Sequence, residues 1–268
     1  MPSTNKFIIR TMLWLVILYV LICLGLYFFQ EKLLFFPDKL PRDHRFSFTQ
    51  PFEEVNVKTK DGKLLNGLLF KADSVKGLIF YLHGNAGSLD SWGEVAQHYT
   101  ALGHSVFILD YPGYGKSEGS IKSKKQLFDA IQTTYDQIKQ RFSEDSITIL
   151  GYSIGTGPAA YLASTNNPKR LILQAPYYSL TDMMRHTYPI LPTFILKYKF
   201  HTNEYVRACK MPVVIFHGDR DEVIYYGSSL KLEKEMKPGD TLITLKGQGH
   251  NGMTNNPAYL NAIKTIIQ

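Results

Sequence analysis

Apolar and polar positions fall into short, regular blocks along this chain, with one exception. From Thr11 to Phe29 the run TMLWLVILYVLICLGLYFF is apolar throughout and carries no charge. A helix needs about 20 such residues to cross a hydrocarbon core. The pattern therefore predicts an amino-terminal tail over 1–10, a transmembrane anchor over 11–29 and a juxtamembrane linker over 30–50, broken by Pro37 and Pro41. Trp14 and Tyr27 stand near the two expected interfaces, where aromatic rings gather. A cleaved signal peptide would have a shorter apolar stretch and small residues before the cut. Cys23-Leu24-Gly25 fits that poorly, and cleavage there would leave the apolar start LYFFQ. The bulky Ile22 argues against lipid attachment at Cys23. Lys6 and Arg10 precede the span, whereas Lys32, Lys39, Arg42 and Arg45 follow it, so the charge bias does not assign a side.

From residue 51 onward, strand-like and helix-like blocks alternate. EEVNVKT and LLNGLLFKA flank Asp61-Gly62 and predict an antiparallel pair. GLIFYLH, HSVFILD, SITILG, LILQAP, PVVIFHG and TLITLKG are further short apolar runs, which makes eight candidate strands. Between Lys125 and Phe142, residues Leu127, Phe128, Ile131, Tyr135, Ile138 and Phe142 recur at helical spacing. Further helices are expected from Ile154 through Ala163, around Leu230 to Met236 and near Ala258 to Ile267. Apolar strands alternating with amphipathic helices imply an α/β fold: a mostly parallel eight-stranded sheet with helices on both faces, in one domain over 51–268. Residues 177–210 are too long for a plain connection and hold MMRHTYPILPTFILKYKF, which predicts a small helical lid.

Composition narrows the possible partners. The chain has 268 residues, a net charge of +7 and a pI of about 9.2. It has no dense Lys/Arg stripe and no zinc-finger or RNA-binding signature, so a membrane surface is expected in place of nucleic acid. Cys23 and Cys209, in different parts of the chain, predict no disulfide. No metal or organic cofactor is implied.

The chemistry concentrates in three places. Gly151-Tyr152-Ser153-Ile154-Gly155 is a G-x-S-x-G motif between a strand and a helix. Glycines on both sides let the chain turn tightly and lift the Ser153 hydroxyl clear of the sheet. A serine hydroxyl needs a base, and in this motif's usual order an acid and then a histidine follow. PVVIFHGDRDEVI offers Asp219 and Asp221 at a strand end, and Asp221, two residues further along, is the one expected to turn towards a histidine. Asp219 is expected to support the turn, and Asp182 is a remote third candidate. His250, in KGQGHNG after the last strand, is the expected base, with Asp221 fixing its tautomer. An oxyanion hole needs two backbone N–H groups: Ile154, just after the nucleophile, and Asn85 in the loop His83-Gly84-Asn85-Ala86-Gly87. His83 and His217 read as structural hydrogen-bonders, and Asp110 as a brace for the turn at Gly113, Tyr114 and Gly115.

HGNAG, DYPGYGKSEG, GYSIGTGPA, HGDRDEV and GQGHN, in this order, resemble the membrane-anchored α/β-hydrolase-domain proteins with a short lid. Similar sequences include serine aminopeptidase-like hydrolases. The resemblance runs from about Leu33 to the carboxyl end and implies the α/β-hydrolase fold and a Ser153–Asp221–His250 triad. It also implies ester substrates such as lysophospholipids and acyl-proteins. Three functions follow as expectations. The first is an esterase, lipase or thioesterase acting on small-molecule or lipid acyl substrates at the membrane, suggested by the anchor and by Ile190, Leu191, Phe194, Ile195 and Leu196 in the lid. The second is a peptidase, which would need an acidic pocket, whereas Arg185, Lys197, Lys199, Arg207 and Lys210 prevail in the lid. The third is a non-catalytic scaffold.

Overall fold

The computed structural model describes residues 2–268. Helix α1 spans Pro2–Phe28, so it starts ahead of residue 11, inside the stretch expected as a tail; Met1 of that tail lies outside the described residues. From Asn5 to Ile22 the α1 side chains are exposed, including Phe7, Trp14 and Leu21, and only near its end are Cys23 and Leu26 half-buried. Its stretch Asn5–Phe28 has little packed against it and is long and apolar enough to cross a membrane. The short α2 (Gln30–Leu34) and the two-residue strand β1 (Phe36–Pro37) follow. The stretch expected as a linker thus carries regular structure.

The main sheet is built from β2 (Phe52–Lys58), β3 (Leu64–Phe70) and β4 (Gly77–Leu82), then β6 (His104–Leu109), β7 (Ile147–Tyr152), β8 (Arg170–Gln174), β9 (Val213–Gly218) and β10 (Thr241–Leu245). Between β4 and β6 lie the small β5 (Ala86–Gly87) and the short helices α3 (Leu89–Trp92) and α4 (Gln97–Thr100). The other helices are α5 (Lys124–Ile138), α6 (Thr156–Thr165), α7 (Leu180–Thr187), α8 (Thr202–Ala208), α9 (Gly227–Glu233) and α10 (Pro257–Ile266). The eight main strands run in the order β10-β9-β8-β7-β4-β6-β3-β2. β2 and β3 pair antiparallel, as do β3 and β6, and the remaining neighbours are parallel. The expected mostly parallel sheet is therefore present.

Strand side chains point alternately to the two faces, and here both faces are dry. Leu78, Phe80 and Leu82 of β4 join the core under α5 and α6, with Ile131, Tyr135 and Ala159. Ile79 and Tyr81 join the opposite core, with Tyr99 and Tyr259. The buried hydroxyls of those last two tyrosines bond each other at 2.7 Å. Ser123 caps α5 by accepting from the Gln126 N–H, and Asn256 caps α10 through the N–H groups of Ala258 and Tyr259.

The strand order places the functional edge. From β4 the chain passes to β6 on one side, and from β6 it crosses back over β4 to β7 on the other side. Such a reversal opens a crevice at the carboxyl ends of the strands. Leu82 of β4 pairs with Gly151 of β7, which sets the loop after β4 directly beside the turn after β7.

Candidate active site

Ser153 leaves β7 with φ of 53°, a left-handed conformation that non-glycine residues rarely take. A single 3₁₀ turn over Ser153–Gly155 then leads into α6. The flanking glycines are required by space. A Cβ on Gly151 would stand 2.6 Å from the Cβ of Ala159, and one on Gly155 would stand 2.3 Å from the Leu82 carbonyl oxygen. The Thr156 hydroxyl donates to the Ser153 carbonyl at 2.6 Å and tightens the turn.

The structure brings Ser153, His250 and Asp221 together. Ser153 Oγ lies 3.0 Å from His250 Nε2, and His250 Nδ1 lies 2.7 Å from Asp221 Oδ2. All three residues are buried. The other carboxylate oxygen, Oδ1, accepts from the N–H groups of Val223 and Ile224 at 2.9 and 2.8 Å. Burial alone would raise the Asp221 carboxyl. The bonds from His217 and His250, the charge of His250 and the Ile224 N–H outweigh it and hold the group well below the usual carboxylate range.

The competing acids sit elsewhere. Asp219 accepts from the Gly247 N–H at 2.7 Å, which ties the β9 loop to the β10 loop. Asp182 bonds Tyr225 and pairs with Lys231.

Ile154 directly follows Ser153, and Asn85 lies in the loop after β4, beside the turn after β7. The Asn85 carbonyl accepts from the Phe36 N–H at 2.8 Å and from the Tyr114 hydroxyl at 2.7 Å. Its own N–H makes no hydrogen bond among the described residues. A Cβ on Gly84 would press against the Trp92 ring at 3.1 Å and the Tyr152 ring at 3.2 Å. Asp110 is buried, and burial raises its carboxyl. It accepts from the Leu89 N–H at 3.1 and 3.2 Å and lies against the Cα of Gly115, so it braces the turn from beneath. His83 faces the Gly84 carbonyl through Nδ1 at 2.7 Å.

Three supporting contacts were not legible as site features in the sequence. The Tyr152 hydroxyl donates to the His250 carbonyl at 2.8 Å and fastens the histidine loop to the serine turn. His217 bonds the acid itself, with Nε2 3.2 Å from Asp221 Oδ2. Strand β1 pairs with β5, so the segment after α2 holds the Asn85 loop. The only signal for the first two was their position beside a motif residue.

An apolar cavity of about 480 Å³ lies between the end of α1, α2 and the lid, with Leu26, Leu33, Met183, Met184 and Leu191 in its walls. Val223, two residues past Asp221, also lines it. In the lid, Lys197 pairs with Glu31 and Arg207 with Glu235.

A serine raised between strand and helix at the carboxyl edge of such a sheet, facing a histidine and an acid from later strand ends, defines the α/β-hydrolase class. A family model described as alpha/beta hydrolase fold matches residues 77–208. Alpha/beta hydrolase domain-containing protein 17B of Xenopus laevis is 31% identical over 201 residues, which is 72% of this chain and 67% of that protein. Protein bem46 of Schizosaccharomyces pombe is 29% identical over 222 residues, 76% of this chain and 74% of that protein. The solved structure of the Pyrococcus furiosus esterase PF2001 superposes with a TM-score of 0.68 at 18% identity, covering 87% of this chain and 95% of that one. The chain belongs to the α/β-hydrolase superfamily and is a hydrolase of that group.

Proposed function

We propose that this chain is a serine hydrolase, held on a membrane by a single span, that cleaves carboxylic esters or thioesters of lipid or acyl substrates. Ser153 is the nucleophile, His250 the base and Asp221 the acid that orients it. The observation that carries this reading is the continuous contact from Ser153 Oγ through His250 to Asp221, at 3.0 and 2.7 Å.

In the first half-reaction the Ser153 oxygen attacks the acyl carbon as its proton passes to His250 Nε2. Asp221 keeps the imidazole in the tautomer with hydrogen on Nδ1 and stabilises the imidazolium. The N–H groups of Ile154 and Asn85 receive the negative oxygen; loss of one such donor typically costs about 10²–10³ in rate. His250 then gives the proton to the departing alcohol or thiol. Water, activated by the same histidine, releases the acid and restores Ser153.

The acyl preference rests on the apolar cavity beside the acid loop and on the lid over residues 177–210. The anchoring role rests on the uncharged and largely exposed stretch of α1 from Thr11 to Phe28. The test uses the full chain in detergent–lipid micelles with a series of acyl esters and thioesters. Long-chain substrates should turn over faster than short ones, and aminoacyl amides should remain uncut. Equal turnover across chain lengths would overturn the acyl preference, and preferential cleavage of the amides would favour a peptidase.

A further inference from the structure

The lid touches the amino-terminal segment at two heights, once on α1 and once on α2. Just past α1, buried Gln30 at the start of α2 donates from Nε2 to the Ile195 carbonyl at 3.1 Å and accepts from the Lys197 N–H at 2.8 Å. Much further back, the Tyr19 hydroxyl donates to the Ile190 carbonyl at 2.7 Å. Tyr19 stands nine residues before Phe28, the last residue of α1. At 1.5 Å per residue that is about 13 Å along the axis. Helical side chains also lean towards the amino terminus, which sets the contact deeper still.

The loop that reaches this depth has the composition of a membrane-facing segment. TYPILPTFIL, from Thr187 to Leu196, carries no charge. Tyr188, Ile190 and Phe194 are 58%, 79% and 78% exposed. Arg185 and His186 precede the stretch, and Lys197 and Lys199 follow it. Irregular backbone in hydrocarbon must satisfy its own polar groups. Here Pro189 and Pro192 have no N–H to satisfy. The N–H groups of Tyr188, Leu191, Ile195 and Leu196 bond to nearby lid carbonyls, the Ile190 carbonyl is taken by Tyr19 of α1 and the Ile195 carbonyl by Gln30 of α2.

We infer that the lid loop around Tyr188–Phe194 dips into the bilayer beside the anchor helix, so that the chain meets the membrane at two places. The occupant of this apolar face is the lipid bilayer, because the face continues that of α1 at the same depth. The inference rests on the reading of α1 as a membrane span. A loop so placed also holds the mouth of the apolar cavity against the lipid, since Tyr188 and Leu191 line both.

Full-length protein in phosphatidylcholine vesicles tests this. Single cysteines are placed at Ile190, Val16 or Leu230 in a Cys23→Ser background and labelled with an environment-sensitive fluorophore. Cys209 does not compete, because it is buried and its thiol is pushed up to about 12 by burial. Val16 on α1 is the membrane reference, and the exposed Leu230 on α9 is the aqueous one. Lipids brominated on the acyl chain should quench the probe at 190 by more than half the extent seen at 16, with a blue-shifted emission. The probe at 230 should stay unquenched. Quenching at 16 with water-like emission at 190 overturns the lid insertion alone. No quenching at either position overturns the anchor reading and the insertion together.

Discussion

His217 Nε2 lies 3.2 Å from Asp221 Oδ2, the same oxygen that His250 Nδ1 reaches at 2.7 Å. Two imidazoles therefore share one carboxylate oxygen. His217 Nε2 also faces the Ile224 carbonyl at 2.9 Å, so both of its neighbours are acceptors and this nitrogen carries the hydrogen. Its Nδ1 faces the Ser229 hydroxyl of α9 at 2.7 Å, which fixes the ring from behind. His217 thus positions the acid without facing the serine.

Replacing it should separate positioning from binding. Hydrogen bonds to charged groups are worth about 1.5–3 kcal/mol. Loss of part of that at Asp221 predicts a fall in kcat of about 10-fold or more for His217→Phe, with KM little changed. His217→Gln, which keeps a donor, should recover part of the loss. Steady-state kinetics on a soluble ester check this. A rise in KM with kcat intact would contradict it.

The depressed acidity of Asp221 also bears on stability. Its folded value lies below the unfolded one, about 3.9 for a free Asp. The ionised carboxylate therefore stabilises the fold at every pH above that point. The contribution is lost as pH falls through the folded value. The stability gap between the wild type and Asp221→Asn, from urea unfolding, should be constant between about pH 7 and 5 and narrow below about pH 4. A gap that already narrows between pH 7 and 5 would show that the carboxyl is not held down.

Gln30 tests the bond between α2 and the lid. It is a buried amide whose two ends bond Ile195 and Lys197. Gln30→Ala leaves a buried N–H without a partner, at about 1–3 kcal/mol. For a domain of this size each kcal/mol shifts the melting point by about 2–4 °C. The midpoint should drop by several degrees, and cleavage by trypsin should quicken at Arg185 or Lys199 in the loosened lid. An unchanged midpoint with unchanged cleavage would mean that the tether does not restrain the lid.

Much of the fold was legible because its strands are short apolar runs closed by turn residues. The eight expected strands match β2, β3, β4 and β6 to β10, and the last helix, expected near Ala258 to Ile267, runs Pro257–Ile266. The helix expected around Leu230 to Met236 lies instead at Gly227–Glu233, since a short amphipathic pattern sets its own ends weakly. β1 could not be read at all. Two residues ending in proline become a strand only because Ala86 and Gly87, fifty residues on, present a free edge. At the site, the order of Ser153, Asp221 and His250 could be read from motifs, because each stands at a strand end with turn residues around it. The bond from His217 to Asp221 depends on how the β9 loop folds back on its own strand, and Tyr152 reaches a loop 98 residues away. Those contacts exist only after the sheet has formed.

The central claim is that Ser153 is an activated nucleophile, and labelling with a fluorophosphonate probe tests it most directly. The intact chain in micelles should label covalently at Ser153. Ser153→Ala should not label, and His250→Ala should label far more slowly while keeping the circular dichroism of the wild type. Labelling that persists in Ser153→Ala, or a well-folded wild type that does not label, would contradict the account.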